Sequence, residues 1–248
     1  MSIFQWFADF KEKRRKRNIS SHLKTLQNPK AIREDRMASL EFFNELDDIE
    51  VSVNALLKRF NFSIDHGIYD TREKELAMKG IIRFGSDALP LLLAHLKKSD
   101  KIAWPIKIYE KLASSHEIAE ALEACLDFGD VAFDQNKVDK NYDILCHLRD
   151  YKTPDSGEKL LHFLKEHDER LRFAGAEVIL AQDSEHLAAK LEHYLLDESA
   201  ENIRLRQAVT EKYERLKWEI KEKEKIKIGQ KLIDGYKVDP NFYIVKES

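Results

Sequence analysis

Cysteine is nearly absent. Cys125 and Cys146 are the only two in 248 residues, too few for the disulfide framework that staples small secreted folds. With no export signal in view, a reducing, cytoplasmic setting is the expectation. Breakers are scarce too, with 8 Gly and 5 Pro. No run approaches the ~20 apolar residues that cross a bilayer. There is no glycine-rich phosphate loop, no G-x-S-x-G elbow and no H-E-x-x-H pair, nor paired carboxylates in a recognisable catalytic setting. The reading is therefore of a chain that is not an enzyme, with no cofactor, no metal site and no evident small-molecule substrate. Surplus positive charge is also missing. The net charge is −3, whereas a chain that grips nucleic acid usually carries a basic excess.

What is present is charge of both signs, at 35% of residues, in a background of Leu, Glu, Lys and Ala. These are helix formers, and alternating β patterns are scarce before the C-terminal tail. The chain reads as all-α.

A repeat runs through it. The segments HLKTLQNP, LLKRFNFSID, LLLAHLKKSD, LEACLDFGD, LLHFLKEHD and LEHYLLDES each end an apolar helical stripe in a polar turn. Their anchors are Leu26, Phe60, Leu96, Leu126, Leu164 and Leu195, 30 to 38 residues apart. That spacing holds two short helices and two turns. The second helix repeats as well, since RLRFAGAEVIL (170–180) lies over RLRQAVTEKYE (204–214). Leu171, Ala174 and Val178 share one face, as do Leu205, Ala208 and Lys212. A small residue in mid-helix lets neighbours approach, and Ala77 and Ala38 fit the same role. One hairpin cannot bury its apolar face alone, so stacked hairpins are required.

In the pairing of DALPLLLAHLKKSD with second helices that open LeuArgPheAla (171–174) and LeuArgGlnAla (205–208), the chain resembles the HEAT-repeat family over roughly residues 20 to 220. The resemblance implies an α-solenoid of about six hairpins. It also implies a structural ladder in which Arg172 joins Asp168, and Arg206 joins Asp197 or Glu198. Second helices line the concave face in that family. Arg170, Phe173 and Glu177 would then face a partner together with Arg204, Gln207 and Glu211, the alternative being a solvated charged stripe. The family's usual work implies a non-catalytic scaffold for another protein. Alkylpurine DNA glycosylases also use HEAT-like repeats, with a basic, aromatic-lined face, so nucleic-acid binding stands as an alternative on Arg170 and Arg204.

Other stretches invite attention. DFGDVAFDQNKVDKNYD (127–143) begins like a calcium loop at Asp134 and Asn136, but has Val138 at the fifth position, no Gly at the sixth and Leu145 at the twelfth. It reads as a long surface turn. FNFSIDHGIYD (60–70) is longer than an ordinary hairpin turn and carries Phe62, Ile64, Ile68 and Tyr69. His162 and His193 hold equivalent positions without other metal ligands. Trp104 reads as packing beside Pro105 in a first helical turn.

The ends differ from the middle. In IFQWFADFKEKRRKR (3–17), Ile3, Trp6, Phe7 and Phe10 form a stripe with Phe4 nearby, followed by Lys11, Lys13, Arg14, Arg15, Lys16 and Arg17. Apolar wedge plus basic cluster is the composition of an interfacial anchor, and an anionic membrane surface is one candidate partner. The other reading is a helix of about two turns that caps the first repeat. Basic EIKEKEKIKIGQK (219–231) reads as a helix continuation, and GYKVDPNFYIVKES (235–248) as a turn and short extended tail that packs on the last repeat. The organisation expected is thus residues 1–17 as an amphipathic basic segment, 18–222 as repeats and 223–248 as a capping end.

Overall fold

Polar turn residues start several of the helices. Asp48, Asp134, Asp168 and Ser184 sit at N-caps and accept a backbone N–H of the turn that follows, satisfying donors that a helix start leaves open. The computed structural model describes residues 3–131, 133–153 and 157–247, with side chains from residue 9 onward. It is mostly helical and divides into two compact units, Met1–Ser114 and Ser115–Ser248.

The first unit holds α1 (Ile3–Leu26), α2 (Arg33–Glu45), α3 (Ile49–Leu57), α4 (Gly67–Ile82), α5 (Leu89–Lys98) and α6 (Ala103–Leu112). They pack in successive pairs, α1 on α2, α3 on α4 and α5 on α6, and α4 also packs against α2 and α6. Leu26, Leu40, Phe43, Leu56, Ile81, Leu92 and Leu96 are buried between them, each contributing about 2 kcal/mol of transfer free energy. Trp104 stacks on Phe60 at 6.0 Å, as packing.

The second unit holds α7 (Ser115–Glu123), α8 (Gln135–Leu148), α9 (Gly157–Leu160), α10 (Glu169–Ala181), α11 (Glu185–Ala189) and α12 (Ile203–Leu216). Short 3-10 turns at Leu161–Lys165 and Glu192–Leu196 extend the first helices of the last two pairs. α7 packs on α8, the 161–165 turn on α10 and the 192–196 turn on α12, while α10 contacts both α8 and α12. A hairpin of β1 (Tyr236–Val238) and β2 (Ile244–Lys246), paired antiparallel with Lys237 opposite Val245, packs on α12.

Several expectations need correction. Five of the six repeat anchors are buried, but in the fifth pair the buried residue is Phe163 and Leu164 is half-exposed. There the close approach comes from Gly175, where an added Cβ would lie 2.7 Å from the Phe163 Cβ. Ala77 is fully buried as expected, whereas Ala38 is exposed. Residues 135–143 belong to α8 rather than to a surface turn, and Asp134 is its N-cap. The basic segment after residue 218 does not continue α12. That helix stops at Lys217, whose φ of 53° is left-handed, and Trp218 N–H closes back on the Tyr213 carbonyl. Trp218 then packs edge-on to Tyr213 at 5.5 Å.

In the first unit a sealed ion cluster occupies the turn between α3 and α4. Glu73 is 1% exposed and Arg59 is fully buried. Arg36 donates to both oxygens of Glu73 at 3.0 Å, and Arg59 Nε donates to the same carboxylate at 2.7 Å. Arg59 also donates to Asp70 at 2.7 Å and to the Phe62 carbonyl at 3.1 Å. Lys74 donates to Asp70 at 2.6 Å and to Ser63 at 3.2 Å. The expected long FNFSIDHGIYD loop is reduced to residues 62–66, folded over this polar core, because residues 67–70 already belong to α4, and Ile68 is left 80% exposed.

In the second unit Glu192, fully buried, plays a similar part. Its carboxylate accepts from the Tyr213 hydroxyl at 2.8 Å, from the Lys221 amide at 2.9 Å and from the Glu222 amide at 2.7 Å. This ties the chain after α12 to the last helix pair.

Three outcomes are expected. Glu73→Ala strands two buried guanidinium groups and should cost about 3–5 kcal/mol in urea unfolding, read by Trp104 in a chain with Trp6 and Trp218 changed to Phe. Exposed Glu41→Ala in the same background should cost less than about 0.5 kcal/mol; equal effects would contradict the cluster. Burial pushes the Asp70 carboxyl up, but hydrogen bonds from Lys74, Arg59 and the Ile64 amide together hold it below its ordinary value of 3.8. Its stabilisation is therefore present above that value and lost as pH falls through the depressed native one. Asp70→Asn should be less stable than the parent at neutral pH, with the gap closing below about pH 4. Glu192→Ala should cost about 3 kcal/mol and speed hydrogen exchange at Lys221 and Glu222, and unchanged exchange there would remove the tether.

Candidate functional site

Three parallel second helices of the second unit, α8, α10 and α12, carry the residues expected to meet a partner. Arg170 is exposed at the start of α10, and its guanidinium lies 5.6 Å from the Tyr142 ring of α8. Phe173, one turn on, is half-buried beneath Arg204 of α12, whose guanidinium carbon is 3.9 Å above the ring. Such stacking holds a cation over an aromatic face. Glu177 completes the α10 stripe and accepts from Arg149 of α8 at 3.2 Å. On α12, Gln207 donates to Glu211 at 3.0 Å. The two stripes, 170–173–177 and 204–207–211, therefore lie side by side.

Beside them runs an open groove of about 670 Å³. Glu177, Leu180 and Ala181 of α10 and Ala208, Glu211, Lys212 and Arg215 of α12 line it, with Arg149 from α8 and Tyr236 and Lys246 from the hairpin. Lys212, nearly buried, is committed to Asp183 in the turn after α10. Asp183 also receives Lys152 at 2.7 Å, and these two hydrogen bonds, Lys152's the larger, hold its carboxyl at about 2. Arg215 and Lys246 have no ion-pair partner among the described residues.

The ladder residues take different partners from those expected. Asp168 caps α10 and pairs with Arg170 at 2.9 Å instead of Arg172. Arg172 does reach the preceding turn, but through the carbonyls of Glu166 and His167 at 2.9 and 2.8 Å, and it meets Glu201 at 3.2 Å. Arg206 donates to the Leu195 carbonyl at 3.0 Å, not to an acid. Asp197 serves its own turn, accepting from the Ser199 amide and from Asn202. The physical need was to satisfy turn carbonyls, which only a donor can do.

Tyr142, Cys146 and Arg149 were missed. They stand at i, i+4 and i+7 on α8 and continue the same surface. A signal existed, because YDILCHLR falls about 30 residues before the α10 stripe, but the apolar register of the fourth pair is too weak to align it. Cys146 is half-buried, and burial pushes its thiol above the ordinary 9.0 against an opposing hydrogen bond with Tyr142. Nothing here activates a nucleophile, since a raised thiol is less ionised at neutral pH.

Of the anchor candidates, Phe10, Lys13, Arg14, Arg15, Lys16 and Arg17 are exposed on α1. The side chains of Phe4, Trp6 and Phe7 lie outside the described residues. No helix among the described residues is long and apolar enough to cross a membrane.

Cys146 should therefore react with Ellman's reagent at pH 7 more slowly than a small free thiol. Tyr142→Phe should slow it further by removing a hydrogen bond that favours the thiolate; faster labelling would contradict this account. Compared with protein-family models, with curated proteins and with solved structures, the chain matches none of them.

Proposed function

We propose that the chain is a non-catalytic interaction scaffold of HEAT-like type, an α-solenoid whose second helices hold a segment of another protein. The repeating pairs support this, three in each unit, with second helices packed beside one another. The observation that carries it is the α8–α10–α12 surface. Half-buried Tyr142 and Phe173 are held under Arg170 and Arg204 beside an open groove. Aromatic and arginine side chains with limited freedom are the usual centres of binding energy. Leu180, Ala181 and Ala208 give the groove apolar lining beside the charged Glu177, Glu211 and Arg215, the mixture common in protein interfaces.

Nucleic-acid binding has less behind it. A phosphate contact needs a cation free to exchange its counterions. Arg170 is held by Asp168 and Asp139, Arg149 by Glu177, and Lys212 by Asp183, which leaves Arg204, Arg215 and Lys246 at this surface for the many phosphate contacts such binding needs.

The test is a pull-down from native cells with the full chain and with a variant carrying Arg170→Ala, Phe173→Ala and Arg204→Ala. Circular dichroism should match between the two, because these side chains are not core. Proteins held by the parent should be depleted at least tenfold from the variant. An identical set of captured proteins would move the binding surface elsewhere.

A further inference from the structure

α1 is one helix of 24 residues, far longer than a two-turn cap. Among the described side chains, those that pack on the unit lie in its last part. Leu26 is fully buried, Ile19 is half-buried, and the His22 ring stacks on Phe42 at 4.2 Å and meets Ser39 at 3.1 Å. Further up, Arg15 reaches Asp48 at the start of α3 at 2.8 Å. These four side chains mark the face of α1 that looks at the unit. On a helix advancing about 100° per residue, they lie roughly 120–180° round from Phe10.

Phe10 is 56% exposed, as its position opposite the docked face requires. Lys13, Arg14 and Arg17 fall within roughly 60° of Phe10 on that outer side, as do positions 3, 6 and 7, occupied by Ile, Trp and Phe. Every described side chain from Asp9 to Asn18 is exposed. Arg15 and Lys16 share Glu12, but Lys11, Lys13, Arg14 and Arg17 have no ion-pair partner among the described residues. Residues 9–17 hold six cations and two carboxylates, inside a chain whose net charge is −3. The geometry thus opposes capping by this stripe, because the helix is docked by its other side.

We infer that residues 3–17 of α1 form an interfacial anchor that lays its outer stripe on a bilayer bearing anionic headgroups. The apolar positions precede the cations along one stripe about 21 Å long. That order sets an apolar wedge at the acyl boundary with Lys13, Arg14 and Arg17 at the phosphates. A nucleic acid would take the cations and leave no use for the apolar positions. The acidic remainder of the chain is repelled from the same surface, so the helix end approaches first.

The experiment is co-sedimentation of the full chain with phosphatidylcholine vesicles, with and without phosphatidylserine. The parent should bind only the anionic vesicles, and less as salt is raised. Changing Lys13, Arg14 and Arg17 together to Gln should weaken binding about a hundredfold, at about 1 kcal/mol per cation. Changing exposed Lys58, Lys79 and Lys98 to Gln makes the same change in net charge and should leave binding within about threefold, because those cations are not on the stripe. All six sites are exposed, and circular dichroism checks that both variants fold. A folded parent that binds neither vesicle overturns the proposal, as do equal losses in the two variants. Displacement from vesicles by a short oligonucleotide at matched phosphate would assign the stripe to nucleic acid and overturn it as well.

Discussion

A pair of short helices cannot bury its apolar stripe alone. In each unit the pairs therefore cover one another, and some polar groups at the helix ends are enclosed between them. A carbonyl, amide or charged side chain there loses contact with water and needs a protein partner. Much of the polar chemistry of this protein answers that one constraint. Arg172 and Arg206 reach the carbonyls of the turns before their helices. Glu192 takes up two amides and a hydroxyl where the chain leaves α12. Arg36, Arg59 and Lys74 close around Glu73 and Asp70 where α3 turns into α4.

The ion cluster shows how the constraint shapes stability. Taking charges from water costs several kcal/mol per ion, and the attraction between them roughly offsets that cost when the geometry is good. Two carboxylates face three cations here, and the surplus positive charge is met by the carbonyls of Ala31 and Phe62. Such an arrangement adds little net stability over an apolar core of the same volume. It is asymmetric, however: losing one member costs far more than the set contributes. Its effect is to join α2, the turn after α3 and α4, because Arg36 and Arg59 come from the first two and meet Glu73 on the third.

What was legible in the sequence followed from local rules. Apolar spacing located the helix pairs and five of their six anchors, and the small-residue rule found Ala77 and Ala174. The paired stripes on α10 and α12 were readable because their offset is constant. What was hidden depended on neighbours far along the chain. Arg36 and Glu73 are 37 residues apart, and nothing within either helix announces that they meet. The family resemblance implied Asp168 as the partner of Arg172, yet its oxygens go to the helix N-cap and to the Arg170 side chain. Leu164 yielded to Phe163, whose ring stem fits against Gly175 of α10, a contact made by a residue in a different helix. The stop at Lys217 was invisible, since neither Gly nor Pro marks it. It is imposed by Trp218 packing on Tyr213 and by the segment that Glu192 holds.

Arginine and lysine appear throughout this chain, and residue type alone does not say what they do. Partners decide. Arg59 and Arg36 are sealed and fully paired, so they can only be structural. Arg170 and Arg149 stand in the open, but each already has a carboxylate within 3.2 Å. They offer shape and an aromatic-backed surface more than net charge, which suits a protein partner of mixed polarity. Lys13, Arg14 and Arg17 differ from both groups. They lie on the side of α1 turned away from its unit, with no acid near enough to neutralise them among the described residues. A positive stripe left uncompensated, continuous with apolar positions on the same helix face, is what the proposed anionic surface would complement. The same residue types thus serve as internal struts where the fold sets acids opposite them, and, in the reading proposed above, as a recognition surface and an anchor where it does not.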